Sequence, residues 1–180
     1  KRAIAREAYG CIGDGEAVVL DSGTTTLELA KLIVAGEKRK IVPCTNNIFI
    51  AAELAKAGDM RSIIIGGELR TNIYSCVGSL AQQALSGLFF DKGFISGNHF
   101  TLERGFSTPT LGEAQLKRQV LAASKESFLL MDYTKYGDDS MVQIAPPDGI
   151  DVLITDWHMP ENVAQGFREK NVKVITAQKE

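Results

Sequence analysis

The sequence predicts one α/β domain of three layers, with helices on both faces of a doubly wound, mostly parallel β-sheet. Short apolar runs alternate with stretches of helical spacing along almost the whole chain. The runs are solidly apolar, which is typical of parallel strands covered by crossover helices on both faces. With 180 residues and 44% apolar side chains, the chain is long enough to bury one sizeable core.

Seven apolar runs predict strands, and each run ends in a polar or glycine-containing turn. They lie at residues 17–20, 41–44, 62–65, 93–96, 127–131, 152–155 and 172–176. Apolar residues three or four positions apart predict helices between the strands. These helices lie at residues 27–33, 50–55, 80–85 and 111–120. Another apolar face at residues 4–9 predicts a helix already under way at Lys1, so we expect the chain to be part of a longer protein. The polar segment 137–150 contains two prolines and is expected to form a mobile flap.

Charge and cysteine content exclude several classes of protein. The chain has 20 Lys and Arg against 22 Asp and Glu, and its formal net charge of -2 gives no field that would attract a polyanion. We therefore do not expect these residues alone to form a DNA-binding surface. The three cysteines match neither a metal-binding pattern nor a disulfide framework, which favours a reducing, cytoplasmic setting. No apolar run approaches the ~20 residues that span a bilayer, so no membrane partner is expected.

No cofactor or metal ion is predicted. His99 and His158 are the only histidines, and neither has a second ligand residue at a metal-binding spacing. The sequence contains no GxSxG or GxGxxG motif, so nothing favours a serine hydrolase or a dinucleotide-binding protein.

The turn after the first strand has the composition of a phosphate-binding loop. Ligands of doubly wound sheets bind beyond the carboxyl ends of the strands, so these turns carry the function. Here DSGTTT at residues 21–26 leads into a helix whose first N–H groups are unpaired donors near a partial positive charge. Gly23 lets the backbone approach an anion, and the hydroxyls of Thr24, Thr25 and Thr26 add donors. The alternative is that Ser22 or Thr24 only caps the helix.

Two further strand ends carry small or hydrogen-bonding residues. Thr45 and Asn46 follow the second strand, and Gly67 and Glu68 follow the third. Asn46 alone could cap a helix, and Gly67 alone could form a tight turn. Because parallel strands end at one edge of the sheet, the coincidence of these residues there favours a ligand site.

The second half of the chain adds charged and amide groups near later strand ends. The candidates are Asn98, Arg104, Glu113, Lys117 and Lys135. Glu113 has capping-box spacing with Thr110, and Lys117 lies four residues after Glu113, so both could serve only the helix that carries them. Lys135 is a candidate phosphate partner, and its alternative is a solvated surface lysine.

Six motifs occur in an order that indicates a family. They are DSGTTT at 21–26, TNN at 45–47, GGE at 66–68, DKGF at 91–94, EAQLKR at 113–118 and DYTKYG at 132–137. In this order they resemble the effector-binding domain of DeoR-type bacterial transcription regulators. The resemblance implies that residues 1–180 form the sugar-phosphate sensor of a repressor of sugar metabolism. It also implies that the protein self-associates and binds operator DNA through an N-terminal helix-turn-helix outside this chain.

The residues and the resemblance together assign a role to each candidate. Phosphate would be held by Ser22, Gly23, Thr24 and Thr25, with added charge from Lys135. The pocket would be lined by Thr45, Asn46, Gly67 and Glu68. Hydroxyl groups of the sugar would bind Asn98, Arg104, Glu113 and Lys117.

An enzyme is the main alternative. The DeoR sensor is similar to ribose-5-phosphate isomerase and related enzymes, so the chain could be a sugar-phosphate isomerase or deaminase with Glu113 as its base. Two aspartates of the isomerase pattern fall on Ile95 and Asn98 here. Their loss removes groups that stabilise an enediolate, so we expect binding without turnover. A third alternative, a ligand-free oligomerisation module, leaves the polar residues at the strand ends unexplained.

Overall fold

A seven-stranded sheet, parallel between every pair of neighbouring strands, forms the centre of the protein. It is seen in a computed structural model that describes residues 1–179. In chain order the elements are α1 (Arg2–Gly10), β1 (Ala17–Leu20), α2 (Thr24–Ala35), β2 (Val42–Thr45), α3 (Ile48–Leu54), β3 (Ile63–Ile64), β4 (Glu68–Arg70), β5 (Ser75–Val77), α4 (Gly78–Leu85), β6 (Phe90–Ile95), β7 (His99–Thr101), β8 (Gly105–Thr108), α5 (Leu111–Ala122), β9 (Ser124–Leu130), β10 (Val142–Ala145), β11 (Val152–Asp156), α6 (Glu161–Arg168) and β12 (Lys173–Ala177). Two short 3-10 turns lie at Ala55–Ala57 and Tyr133–Lys135.

The strand order confirms the predicted doubly wound sheet. The order is β12-β11-β9-β6-β1-β2-β3, so the chain builds outward from β1 in both directions. The seven predicted apolar runs are the seven strands of this sheet, with boundaries that differ by a few residues. The run predicted at 93–96, for example, belongs to a strand that begins at Phe90. Because all seven strands are parallel, their carboxyl ends lie at one edge of the sheet.

Two apolar clusters lie on the two faces of the sheet and complete the three layers. Successive side chains of a strand point to opposite faces. Accordingly, Val18 and Leu20 pack in one cluster with α1, α2 and α3, whereas Val19 packs in the other with α4, α5 and α6. Both faces of the central sheet are therefore shielded from water, which explains why its strands lack alternating polar residues.

Two small antiparallel sheets lie outside the predicted strands. One is the hairpin of β4 and β5, and the other has the order β10-β8-β7. The segment expected to be a flap, residues 137–150, instead contains β10, which pairs with β8. Ile144 and Ala145 are buried in the core, at 3% and 5% exposure, so the segment packs against the rest of the domain. Strands this short give too few residues for a period of two to be recognised.

Two other properties of the chain follow from the fold. The longest helices, α2 and α5, have 12 residues, and within residues 1–179 no helix combines the length and hydropathy needed to cross a bilayer. None of the three cysteines forms a disulfide within the described residues. Burial raises the pKa of Cys44 to about 12, so this thiol, on the strand next to β1, is not a nucleophile at neutral pH.

Candidate functional site

A cavity of about 180 Å³ lies beyond the carboxyl ends of β1, β6 and β9. Most of the predicted site residues line it: Ser22, Gly23, Thr24, Thr25, Asn98, Glu113, Lys117 and Lys135. Its walls also include Lys1, Ile73, Ser96, Gly97, Leu130, Met131 and Asp132. The volume is smaller than the ~300–1,000 Å³ of pockets for drug-sized ligands, so the cavity suits a small molecule.

The N-terminus of α2 forms one wall of the cavity. Gly23 is the N-cap residue, and no side chain caps the helix, so the capping alternative for Ser22 and Thr24 is wrong. The Thr25 side chain lines the cavity at 5% exposure and has no hydrogen-bond partner among residues 1–179. Thr26 differs, because its hydroxyl donates to the carbonyl oxygens of Asp21 and Gly23 at 2.9 Å each. The helix N-terminus therefore offers uncapped N–H donors and one hydroxyl without a partner in the described residues.

Gly23 has a packing role as well. Its backbone is extended, so no positive φ calls for glycine here. A Cβ at this position would lie 2.4 Å from Ser96 Oγ and 3.1 Å from Thr26 Oγ1. The turn after β1 thus approaches the end of β6 so closely that a side chain at position 23 would force the Ser96 side chain to move. A larger residue at position 23 would disturb the fold of the turn in addition to any effect on an anion.

Lys135 brings a positive charge to the cavity from the 3-10 turn after β9. Asp132 begins this turn and accepts a hydrogen bond from the Thr134 N–H at 3.1 Å, which orients the turn. The Lys135 ammonium has no hydrogen bond or ion pair within the described chain. Its charge is therefore available to an anion in the cavity.

Lys117 and Asp21 form a buried ion pair at the base of the cavity. The two residues are 6% and 2% exposed, and Asp21 Oδ2 also accepts from the Ser96 N–H at 3.0 Å. The expected pairing of Lys117 with Glu113 on one helix face is not formed. Sequence reasoning missed Asp21 and Ser96, although an acid directly after a buried strand was the available signal.

Glu113 lines the cavity from the first turn of α5 and is held from two sides. One carboxylate oxygen pairs with Arg70 of β4, and the other accepts from the Thr108 hydroxyl at 2.6 Å. The side-chain amide of Asn98 lies 3.0 Å from the same hydroxyl. The expected capping box is not formed, because Thr110 makes no side-chain cap and accepts from Arg70 instead.

The remaining predicted site residues do not line the cavity. They are Thr45, Asn46, Gly67, Glu68 and Arg104. Thr45 is fully buried and accepts from the Asn47 N–H, Glu68 is exposed, and exposed Arg104 pairs with Asp139 at 3.5 Å. Gly67 packs against the Val77 carbonyl, where a Cβ would lie at 2.6 Å.

Asn46 fastens the β4–β5 hairpin. Its Nδ2 donates to Ser75 Oγ at 2.7 Å and to the Cys76 carbonyl at 2.9 Å. It does not cap α3 either, because that cap is Asn47, which accepts from the N–H groups of Phe49 and Ile50. The polar residues after β2 thus hold the hairpin in place.

Comparisons with known proteins identify the family and the fold of this chain. Residues 1–157 match a family model described as the DeoR C terminal sensor domain. The chain is 33% identical to a putative aga operon transcriptional repressor of Escherichia coli O157:H7, over 97% of this chain and 64% of that protein. It is 31% identical to the HTH-type transcriptional regulator GlpR of Haloferax volcanii, over 97% of this chain and 68% of that protein. The chain thus spans about two thirds of the length of these relatives.

Solved structures with the same fold include an enzyme and a translation factor. A ribose-5-phosphate isomerase in complex with phospho-erythronic acid matches with a TM-score of 0.55 and 15% identity, over 76% of this chain and 53% of that chain. The tetrameric eIF2B-beta2-delta2 complex from C. thermophilum matches with a TM-score of 0.53 and 18% identity, over 78% of this chain and 42% of that chain. At these identities the likeness is one of fold alone.

Proposed function

The chain belongs to the DeoR family as its C-terminal sensor domain, and on that premise we propose that it binds a small phosphorylated sugar as the effector of a transcriptional repressor. The observation that carries the proposal is the Thr25 hydroxyl, which belongs to a residue that lines the cavity and has no hydrogen-bond partner among residues 1–179. This hydroxyl can donate to a bound phosphate oxygen. It lies at the uncapped N-terminus of α2, where a phosphate oxygen is favoured.

The charges around the cavity support an anion at this end. Asp21 is paired with Lys117 and Glu113 with Arg70, so neither carboxylate presents an uncompensated charge. Lys135 has no such partner in the described residues. The Asp132 carboxylate also lines the cavity and accepts from Thr134, and it is opposed by the ammonium groups of Lys1 and Lys135 and by the helix N-terminus. Glu113 and Asn98 line the same cavity, and their side chains suit the hydroxyl groups of a sugar.

The regulatory step follows from linkage. In the longer relatives, which are named as HTH-type regulators, DNA binding would belong to a helix-turn-helix outside these 180 residues. Such modules bind paired half-sites as dimers, so we propose that the whole protein is a homo-oligomer acting on operator DNA in the cytoplasm. A sugar phosphate that releases the DNA must bind the DNA-free conformation more tightly than the DNA-bound one.

Calorimetry of the 180-residue chain tests the anion site. The probes are inorganic phosphate, aldose and ketose phosphates of five and six carbons, and the same sugars without phosphate. We expect the phosphorylated sugars to bind much more tightly than the unphosphorylated ones, because charge-assisted hydrogen bonds are about twice as strong as neutral ones. Thr25→Val should weaken the best sugar phosphate roughly tenfold, since it removes one hydrogen bond to a charged group.

The control for this experiment is Thr176→Val, which makes the same change on β12 away from the cavity. It should leave the affinity unchanged. Trp157 is the only tryptophan and borders a neighbouring cavity that shares Thr24 with the site, so its fluorescence gives a second readout. Equal affinity for phosphorylated and unphosphorylated sugars would show that no phosphate site exists here.

A sensor, unlike an isomerase, should bind these sugar phosphates without converting them. Ile95 is fully buried and apolar, and Asn98 has an amide where the isomerase pattern has a carboxylate. Catalysis needs tighter interaction with the transition state than with the ground state, and these two positions no longer supply it. NMR of the chain with each aldose or ketose phosphate should therefore show no interconversion. Turnover that is lost in Glu113→Gln would instead favour the enzyme.

A further inference from the structure

We propose that Arg70 is a positioning residue that holds the Glu113 carboxylate where it can accept a hydrogen bond from a hydroxyl group of the ligand. This hydrogen bond would let the site bind a hydroxyl-bearing phosphate ester more tightly than inorganic phosphate. The inference rests on the proposed function, because it assigns a recognition step to the same cavity. Arg70 does not line the cavity, so it acts through Glu113.

The geometry around Arg70 shows how it orients Glu113. Its Nη1 donates to one Glu113 carboxylate oxygen and, at 2.6 Å, to Thr110 Oγ1. The Arg70 and Glu113 side chains are 25% and 11% exposed, so the pair is largely shielded from water. One guanidinium nitrogen therefore bridges two groups at the start of α5.

The hydrogen bonds of Glu113 leave room for a ligand. A carboxylate has about four acceptor positions on its two oxygens. Arg70 occupies one of them and Thr108 another. The remaining positions can accept hydrogen bonds from the hydroxyl groups of a sugar. Inorganic phosphate keeps a P–OH group at neutral pH, but its negative charge disfavours a place beside the carboxylate, so Glu113 favours the sugar part of a phosphate ester over a second anion.

The hairpin that carries Arg70 is anchored independently of this pair. Besides the two bonds from Asn46, Asn47 Nδ2 donates to the Ile73 carbonyl at 3.0 Å, and the Ile48 N–H donates to the Tyr74 carbonyl at 3.0 Å. Ile73, at the turn of the hairpin, lines the cavity. Removing the guanidinium should thus leave the hairpin in place. This separates a positioning role from a purely structural one.

Arg70→Met and Glu113→Gln, singly and together, test the inference. For each protein, calorimetry gives the affinity for inorganic phosphate and for the sugar phosphate that binds the natural chain most tightly. We expect Arg70→Met to weaken the sugar phosphate at least about tenfold and to leave inorganic phosphate unchanged. In the Glu113→Gln background, Arg70→Met should have little further effect, because both act through one carboxylate. Arg61→Met, a change to an exposed arginine, is the control.

The outcomes separate this inference from the proposed function. Equal weakening of phosphate and sugar phosphate by Arg70→Met, or independent effects of the two substitutions, would assign Arg70 a structural role and overturn the inference alone. Failure of the natural chain to bind any phosphate ester would overturn both. If Arg70→Met does not fold, Arg70→Lys gives the same test, with a smaller but still selective loss of sugar-phosphate affinity expected.

Discussion

Lys117→Met is expected to lower the free energy of unfolding by about 3–5 kcal/mol, because it leaves a buried carboxylate without its cation. Asp21 is 2% exposed and would keep only the Ser96 N–H and weaker contacts with the Ser96 hydroxyl. For a domain of this size the melting temperature should fall by roughly 6–20 °C. Urea denaturation followed by circular dichroism measures the loss.

The double variant Asp21→Asn/Lys117→Met should recover much of this stability, because it removes both charges and keeps the hydrogen bond from Ser96. Lys125→Met is the matched control. Lys125 also pairs with an aspartate, Asp91, but its side chain is 76% exposed, so the change should have little effect. A similarly small effect of Lys117→Met would mean that the pair at the base of the cavity contributes no more than a surface ion pair.

Gly105→Ala is expected to lower the free energy of unfolding by about 3 kcal/mol or more. A strained backbone conformation and a steric clash with backbone atoms combine at this position. Gly105 has a φ of +76°, and an added Cβ would lie 2.2 Å from the Ala145 carbonyl oxygen and 2.5 Å from the Pro146 carbonyl carbon. Backbone atoms cannot rotate away as a side chain can. The substitution should therefore push β10 away from β8.

Gly137→Ala separates the two penalties. Gly137 also has a positive φ, +95°, but no atom lies within 4 Å of its Cβ position. Its cost should be that of the backbone conformation alone, about 1–2 kcal/mol. The difference in urea midpoint between the two variants measures the close approach of Gly105 to β10. A protease should cut residues 137–150 faster in Gly105→Ala than in Gly137→Ala. Equal cleavage rates in the two variants would mean that β10 is not displaced.

The sequence predicted the sheet and one wall of the site because those features depend on local patterns. A solidly apolar run of four or five residues bounded by turn residues is typical of a buried strand, and the seven strands of the central sheet follow from such runs. The turn at residues 22–25 joins a strand directly to a helix, so its N–H groups and hydroxyls point beyond the sheet edge. That Ser22, Gly23, Thr24 and Thr25 line a cavity could therefore be expected.

The partners of the charged residues could not be predicted, because they depend on how distant segments pack. Lys117 was assigned to the sugar hydroxyls, with Glu113 four residues away as the alternative partner, yet its partner Asp21 is 96 positions distant. The alternative for Glu113 was a capping box with Thr110, yet its partner Arg70 is 43 positions distant. Isolated ion pairs on a helix are worth only a few tenths of a kcal/mol, so burial easily overrides them.

The sequence by itself thus determined the strands, their parallel arrangement and the family, while the tertiary structure decided which polar residues face the cavity. Asn46 illustrates the difference. Its place after β2 predicted a contact with ligand, but the β4–β5 hairpin folds over it and takes its hydrogen bonds. Strand and helix formation is set by residues close along the chain, whereas a buried polar group takes whichever partner the packed fold brings within hydrogen-bond distance.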